Sequence, residues 1–263
     1  MFRVVKKNIK IWISCFCLNI KSQMQYKLNF ILNCTVMFIT YFCEFVSTWF
    51  LINNFSSIGN WSTNDILLVY SIATLSYGLS RFFFNGFNNV SKQLKRGDFY
   101  IHLIKPFNEI LSIVSQNISL ERIGQIVLGL GILVISLNKN HNIQKILLIF
   151  FIINGTIIYS SLFIISAAVS FWVIESKEIM GIMTHGTLRA IVYPLSIYKK
   201  YLRDFMTYIV PVAFISYYPS IILLKKSMDK KILIITWLVG ILVFMFSIFL
   251  WKFGIKKYEG SGG

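Results

Sequence analysis

Between Lys145 and Glu175 the chain carries no charged residue, and the run Ile146 to Ile174 is mostly apolar. About 20 such residues in helical form cross the ~30 Å hydrocarbon core of a bilayer, so this stretch has the length of a membrane span. It is not alone. Similar runs cover Leu28 to Ile52, Ile66 to about Phe84, a third stretch ending at Leu137, and Ile232 to Trp251, which is followed by Lys252, Lys256 and Lys257. A further segment, from Glu178 to Lys225, is apolar but interrupted by Arg189, Lys199, Arg203 and by Pro194, Pro211 and Pro219, and it holds more residues than one span requires. The expectation is an all-α polytopic membrane protein of about six spans, continuous over residues 1–263 with no linker.

Composition agrees. Hydrophobic residues make up 56% of the 263 and charged residues 14%, well above the ~45–50% apolar content of a soluble domain. The formal charge of +16 does not point to nucleic acid, because the lysines and arginines sit between apolar runs and form no basic stripe with interleaved aromatics. Anionic lipid headgroups are the better partner for them. Abundant Ile, Lys, Asn and Phe with little Ala suggest an AT-rich, bacterial genome. Cys15, Cys17, Cys34 and Cys43 lie in the first 43 residues, with neither a Cys-x-x-Cys pair nor a second pair for zinc.

Lys/Arg bias in short loops sets orientation. Arg3, Lys6, Lys7, Lys10, Lys21 and Lys27 precede the first span, whereas Asn53 to Asn64 has no Lys or Arg. The next loop carries Arg81, Lys92, Lys95, Arg96 and Lys105, against Lys139 alone in Asn138 to Gln144. Both termini are therefore expected in the cytoplasm of a bacterial inner membrane. Lys225, Lys226, Lys230 and Lys231 run against this bias, but the first span usually dominates orientation. Residues 1–27 mix lysines with Trp12 and aliphatics, which suits either an interfacial amphipathic helix or a cytoplasmic extension of the first span.

Catalytic and nucleotide-binding signatures are absent. There is no Gly-Lys pair and hence no phosphate-binding loop, His102, His141 and His185 lack metalloprotease spacing, and Gly260-Ser261-Gly262-Gly263 is not a nucleophile elbow. No catalytic, cofactor or metal site is expected, and any ATP chemistry, with its Mg²⁺, belongs to a partner. Ionisable residues inside spans are functional candidates by default. Glu44, two-thirds along the first span, faces either a neighbouring helix or a substrate path. His185 and Arg189, four apart, share one helical face and can form a polar seam. Glu121 and Arg122, adjacent and so ~100° apart around a helix, are not expected to pair with each other.

Three segments resemble the permeases of type-2 ATP-binding-cassette exporters, in particular the small six-span branch. They are Gly97-Asp98-Phe99-Tyr100-Ile101-His102-Leu103-Ile104-Lys105-Pro106, Tyr193-Pro194-Leu195-Ser196-Ile197-Tyr198 with Tyr201-Leu202-Arg203, Pro211-Val212-Ala213-Phe214 and Tyr218-Pro219, and Trp251-Lys252-Phe253-Gly254-Ile255-Lys256-Lys257-Tyr258. Asp98 follows Gly97 one place early for that branch, and Lys199 stands where proline is common. Together with the spans the resemblance covers nearly the whole chain. It implies a permease paired with a second copy or paralogue, two cytosolic ATPase subunits, and a re-entrant hairpin over 195–224 after a short fifth span, Ile179 to Pro194. A kinked span from Tyr201 to Leu224 is the alternative.

The loop 85–108 has a physical reading of its own. Val90 and Leu94 share one face of a basic helix, Gly97 supplies a stop, and Pro106 can begin the next helix. Such an element suits docking into a partner's groove, although a solvated loop on lipid headgroups is also compatible. Lys92, Leu94, Gly97, Asp98, Phe99, Leu103 and Pro106 are the expected ATPase-coupling residues. A secondary transporter would show matched broken helices in its two halves, and only one segment is broken here. An intramembrane lipid-modifying enzyme would need clustered His, Asp or Glu, which is not found.

Overall fold

The computed structural model describes residues 2–54, 61–139, 143–173, 177–225 and 230–258. The expected external turn Lys225 to Lys231 falls largely outside these residues, as do residues 55–60 of the loop 53–64, His141 and the Gly-Ser tail. Among the described residues there are helices and no strand. Five of them are long and apolar enough to cross a membrane, or six where the bent pair 200–223 is counted as one span.

The chain opens with α1 (Phe2–Gln25), α2 (Lys27–Asn54) and α3 (Thr63–Phe84). Ser62 and Asp65 form a reciprocal capping box that starts α3, satisfying two backbone donors at a helix end. Short helices α4 (Val90–Arg96), α5 (Tyr100–Leu103) and α6 (Glu109–Gln116) follow, then α7 (Ile123–Lys139) and α8 (Lys145–Val169). α8 is shorter than the apolar run, ending five residues before Ile174. Helices α9 (Lys177–Gly181) and α10 (Thr187–Ile191) are joined by a π turn, Ile182–Gly186. At ~1.5 Å per residue this composite reaches only about 22 Å, short of a full crossing.

Next come α11 (Lys200–Asp204), extended by a π turn to Ile209, and α12 (Tyr217–Leu223), preceded by a turn over Val212–Phe214. These two legs meet at 81°. Pro211 sits at the break, where its missing N–H and fixed φ stop the first leg. The tip borders Leu162 of α8 and Val243 of the last helix, whereas Leu223 packs with Leu148 at the start of α8. The break thus lies beside the middle of the last helix, and α12 ends near the start of α8. Pro219 lies in the first turn of α12, where its lack of an N–H costs no helical bond. Tyr218 stacks on Phe214 with centroids 4.7 Å apart. The last helix is α13 (Lys230–Ile255).

Span α3 is the enclosed centre of the bundle, with 78% of its apolar window buried, against 6% for α2. Without a hydrophobic drive between helices in lipid, association relies on close backbone approach and polar contacts. Both are present. A methyl group at Gly155 would run into Ser76 on α3, and one at Gly240 into the Asn154 amide. Asn154, fully buried on α8, donates to the Thr236 carbonyl at 3.1 Å, and the Ser80 and Ser160 hydroxyls meet at 3.2 Å. Each such bond contributes roughly 0.6 kcal/mol in membranes, so they set register more than they supply stability.

One end of the bundle gathers both chain termini. The Trp12 indole of α1 donates to the Leu111 carbonyl at 2.9 Å, and Asn19 and Gln23 donate to the carbonyls of Gln116 and Ile118. At the same end the Tyr258 hydroxyl donates to the Gly97 carbonyl at 3.3 Å. The opposite end is closed by Ile52, Trp61 and Ile66 with Tyr193 and Tyr217.

Candidate functional site

The loop between α3 and α7 is a rigid elbow. α4 ends at Gly97, which adopts φ 76°, a left-handed conformation that costs a residue with Cβ ~1–2 kcal/mol. The following N–H groups of Gly97 and Asp98 return to Leu94 and Gln93, and the chain turns into α5. The apolar face of α4 points inward: Val90 is buried and Leu94 half-buried, while Lys92, Lys95 and Arg96 are exposed. Phe99 has no exposed surface. Its ring packs on Phe171, Trp251 and Tyr258 at centroid distances of 5.3, 6.0 and 5.2 Å. The elbow is therefore clamped to the last span from within the chain.

Phe99 is thus enclosed by its own bundle, and Leu94 is half-buried against it. Leu103 stays exposed, joined by Tyr100, Ile101 and Ile104, the last 73% exposed. Pro106 does not begin the next helix. Asn108 does, accepting from the Ile110 N–H at 2.9 Å, since a side-chain cap satisfies a donor that proline cannot. A polar cleft of about 350 Å³ beside the elbow is bordered by Lys92, Arg96, Asp98 and His102.

His102 ties the elbow together. It is buried, with Nε2 3.2 Å from Gln93 Oε1 and Nδ1 2.8 Å from the Ser112 hydroxyl. That pattern fits a neutral ring whose Nε2–H donates to Gln93 while Nδ1 accepts from Ser112. Burial lowers its pKa to about 4, with Lys105 adding repulsion of the charged form. A histidine with a depressed pKa contributes stability that is complete above its unfolded value of ~6.5 and is lost as pH falls towards 4. A nitroxide at Ile104→Cys in a cysteine-free chain is expected to gain mobility over that window. His102→Gln should flatten the response, and an unchanged rise in that variant would assign the titration elsewhere.

A second site opens between α2 and α10. The structure brings Glu44, His185 and Arg189 together: Arg189 Nη2 lies 3.3 Å from Glu44 Oε1, and His185 is within electrostatic reach of both. The pair borders a cleft of about 250 Å³ with Tyr41, Thr48, Tyr70 and Tyr193. Its side chains are 67% and 31% exposed, so the ion pair fixes a seam more than it stabilises the fold. The Tyr193 hydroxyl reaches Thr48 at 3.4 Å across the same seam. Pro194 ends the helical run just below it, and Arg203 lies within reach of Tyr217 on the bent pair.

With this geometry in hand, residues 7–262 match the family described as ABC-2 family transporter protein. The chain belongs to that family. No curated protein and no solved structure gives a significant match. As an ABC-2 family transporter protein it is a multi-pass membrane permease subunit of an ABC transporter, a class that works with an ATP-binding subunit.

In this ABC-2 permease the sequence reading also missed contacts at the foot of α7. Glu121 and Arg122, on the 3-10 turn Leu120–Arg122, do meet, at 3.7 Å. Arg122 itself is 5% exposed. Arg81 turns back onto Tyr77 and Asn85, at 2.8 and 3.3 Å. Arg81 had read as a loop charge. Only the approach of α2 to the foot of α7 encloses Arg122.

Proposed function

We propose that this chain is the membrane-spanning half of a bacterial exporter, moving its cargo outward with ATP and Mg²⁺ held by two cytosolic ATPase subunits. The family match over 7–262 carries this reading. The chain's own architecture supports it. Few residues of α2 are fully buried, and its exposed face suits a second permease copy or a paralogue. Both termini and the elbow share one end of the bundle, and the Lys/Arg bias assigns that end to the cytoplasm of the inner membrane. The bent pair, 200–223, is then a re-entrant hairpin dipping from the outer face. Irregular backbone at membrane depth is tolerated where protein buries it, as Val212, Ala213 and Ile215 are buried here.

The coupling role falls to the elbow. Lys92, Asp98, Leu103 and Ile104 meet the ATPase, while Gly97 and Phe99 pass its motion to α13. Closure of the ATPase pair on nucleotide then shifts the spans between two packings. The test is co-purification with a cognate ATPase. The permease alone should show no hydrolysis, since it lacks a phosphate-binding loop, and the complex should hydrolyse ATP faster when cargo is supplied. Hydrolysis by the permease alone, abolished by a single substitution within it, would overturn the reading.

A further inference from the structure

Arg122 stands at the foot of α7, nearly fully buried, without an oxygen acceptor at hydrogen-bonding distance among the described residues. Nη1 meets only the Met37 sulfur at 3.3 Å, Nη2 is 3.7 Å from Glu121, and Nε meets nothing. A buried guanidinium left so poorly paired is costly. Its surroundings do not repair the deficit. Arg81 lies within electrostatic reach and is itself held by neutral groups, the Tyr77 hydroxyl and the Asn85 amide oxygen. The one carboxylate within electrostatic reach among the described residues is Glu121, held only loosely at 3.7 Å. Two arginines and one carboxylate leave the surroundings of Arg122 with net positive charge.

Tyr41 of α2, itself buried, borders the cleft of about 250 Å³ and lies within electrostatic reach of Arg122 and Arg81, which stand behind it and do not line the cleft. Entry from the cleft therefore requires the Tyr41 ring to swing aside. Few residues of its helix are fully buried, so the cleft is flanked by the lipid-facing surface of the bundle. A guanidinium presents a planar fork of donors matched to phosphate oxygens. An amphiphile can set its headgroup beside Tyr41 and leave its chains along α2.

We propose that Arg122 and Arg81 form a binding site for the phosphate group of an anionic amphiphile entering past Tyr41 from the membrane. The inference goes beyond the exporter reading and does not depend on an ATPase. The purified full chain in phosphatidylcholine nanodiscs tests it, titrated with short-chain phosphatidylglycerol, short-chain phosphatidylcholine, glycerol phosphate and inorganic phosphate, with binding read by native mass spectrometry and thermal midpoint. Phosphatidylglycerol is expected to bind saturably and at least tenfold tighter than phosphatidylcholine. Arg122→Gln should weaken it tenfold or more, Arg122→Lys less, and Lys252→Gln, an exposed control, not at all.

Binding of glycerol phosphate or inorganic phosphate as tight as the lipid would assign the site to a free phosphate. Binding of the lipid alone assigns it to a membrane amphiphile. Without ligand, Arg122→Gln should melt at or above the parent, because it removes an under-paired charge. A midpoint well below the parent would make Arg122 a structural residue and overturn the proposal. So would unchanged lipid affinity in Arg122→Gln, or no anion preference in the parent.

Discussion

A Phe99→Ala variant is expected to reach the membrane at parental levels and still bind its ATPase, yet to lose most cargo-coupled ATP hydrolysis. The ring occupies the junction between the elbow and α13, enclosed by Phe171, Trp251 and Tyr258. Truncating a fully buried phenylalanine costs about 3–5 kcal/mol, part of it from the cavity left behind. The spans themselves are held by the bilayer and by contacts elsewhere, so the loss falls on the clamp. A shift of that size changes the clamped-to-released ratio more than a hundredfold. Phe99→Leu, which keeps most of the volume, should retain intermediate coupling. Basal hydrolysis of the complex, its cargo stimulation and its affinity for the ATPase separate the possibilities. Full stimulation in the alanine variant would show that motion does not pass through this junction.

The reverse pattern is expected of the double variant Leu103→Ala, Ile104→Ala. These side chains are exposed at the outer corner of the elbow and make little of the chain's own core. Their removal should leave the thermal midpoint of the isolated permease unchanged. If they are the anchors that the ATPase receives, their loss costs ~2 kcal/mol or more, enough to weaken docking over tenfold. Affinity measured by titrating purified ATPase onto nanodisc-embedded permease decides the matter. Unchanged affinity would place the docking contact elsewhere, with the polar cleft at Lys92 and Arg96 the next surface to substitute. The contrast between the two variants, one uncoupled while docked and the other undocked while intact, distinguishes transmission from recognition.

Sequence alone determined the membrane class, the five long spans and the break at Pro211, because these follow from local quantities: apolar run length, charge placement and the missing N–H of proline. It also located the Gly97 stop, since the helix ends there in the one left-handed glycine of the described residues. The π turn between α9 and α10 left no such trace. What the local pattern does not contain is which faces meet. An amphipathic helix such as α4 looks identical whether its apolar face is turned to a partner or to its own bundle, and only packing against α13 shows that Phe99 is enclosed. Glu44 and Arg189 lie 145 residues apart, too distant for spacing to pair them, and only the approach of α10 to α2 does so. Arg122 is the sharpest case. A basic residue beside a span end reads as a solvated charge, and its burial is created by α2 crossing the foot of α7, a long-range contact in which the backbone at Cys34 comes close against Gly124.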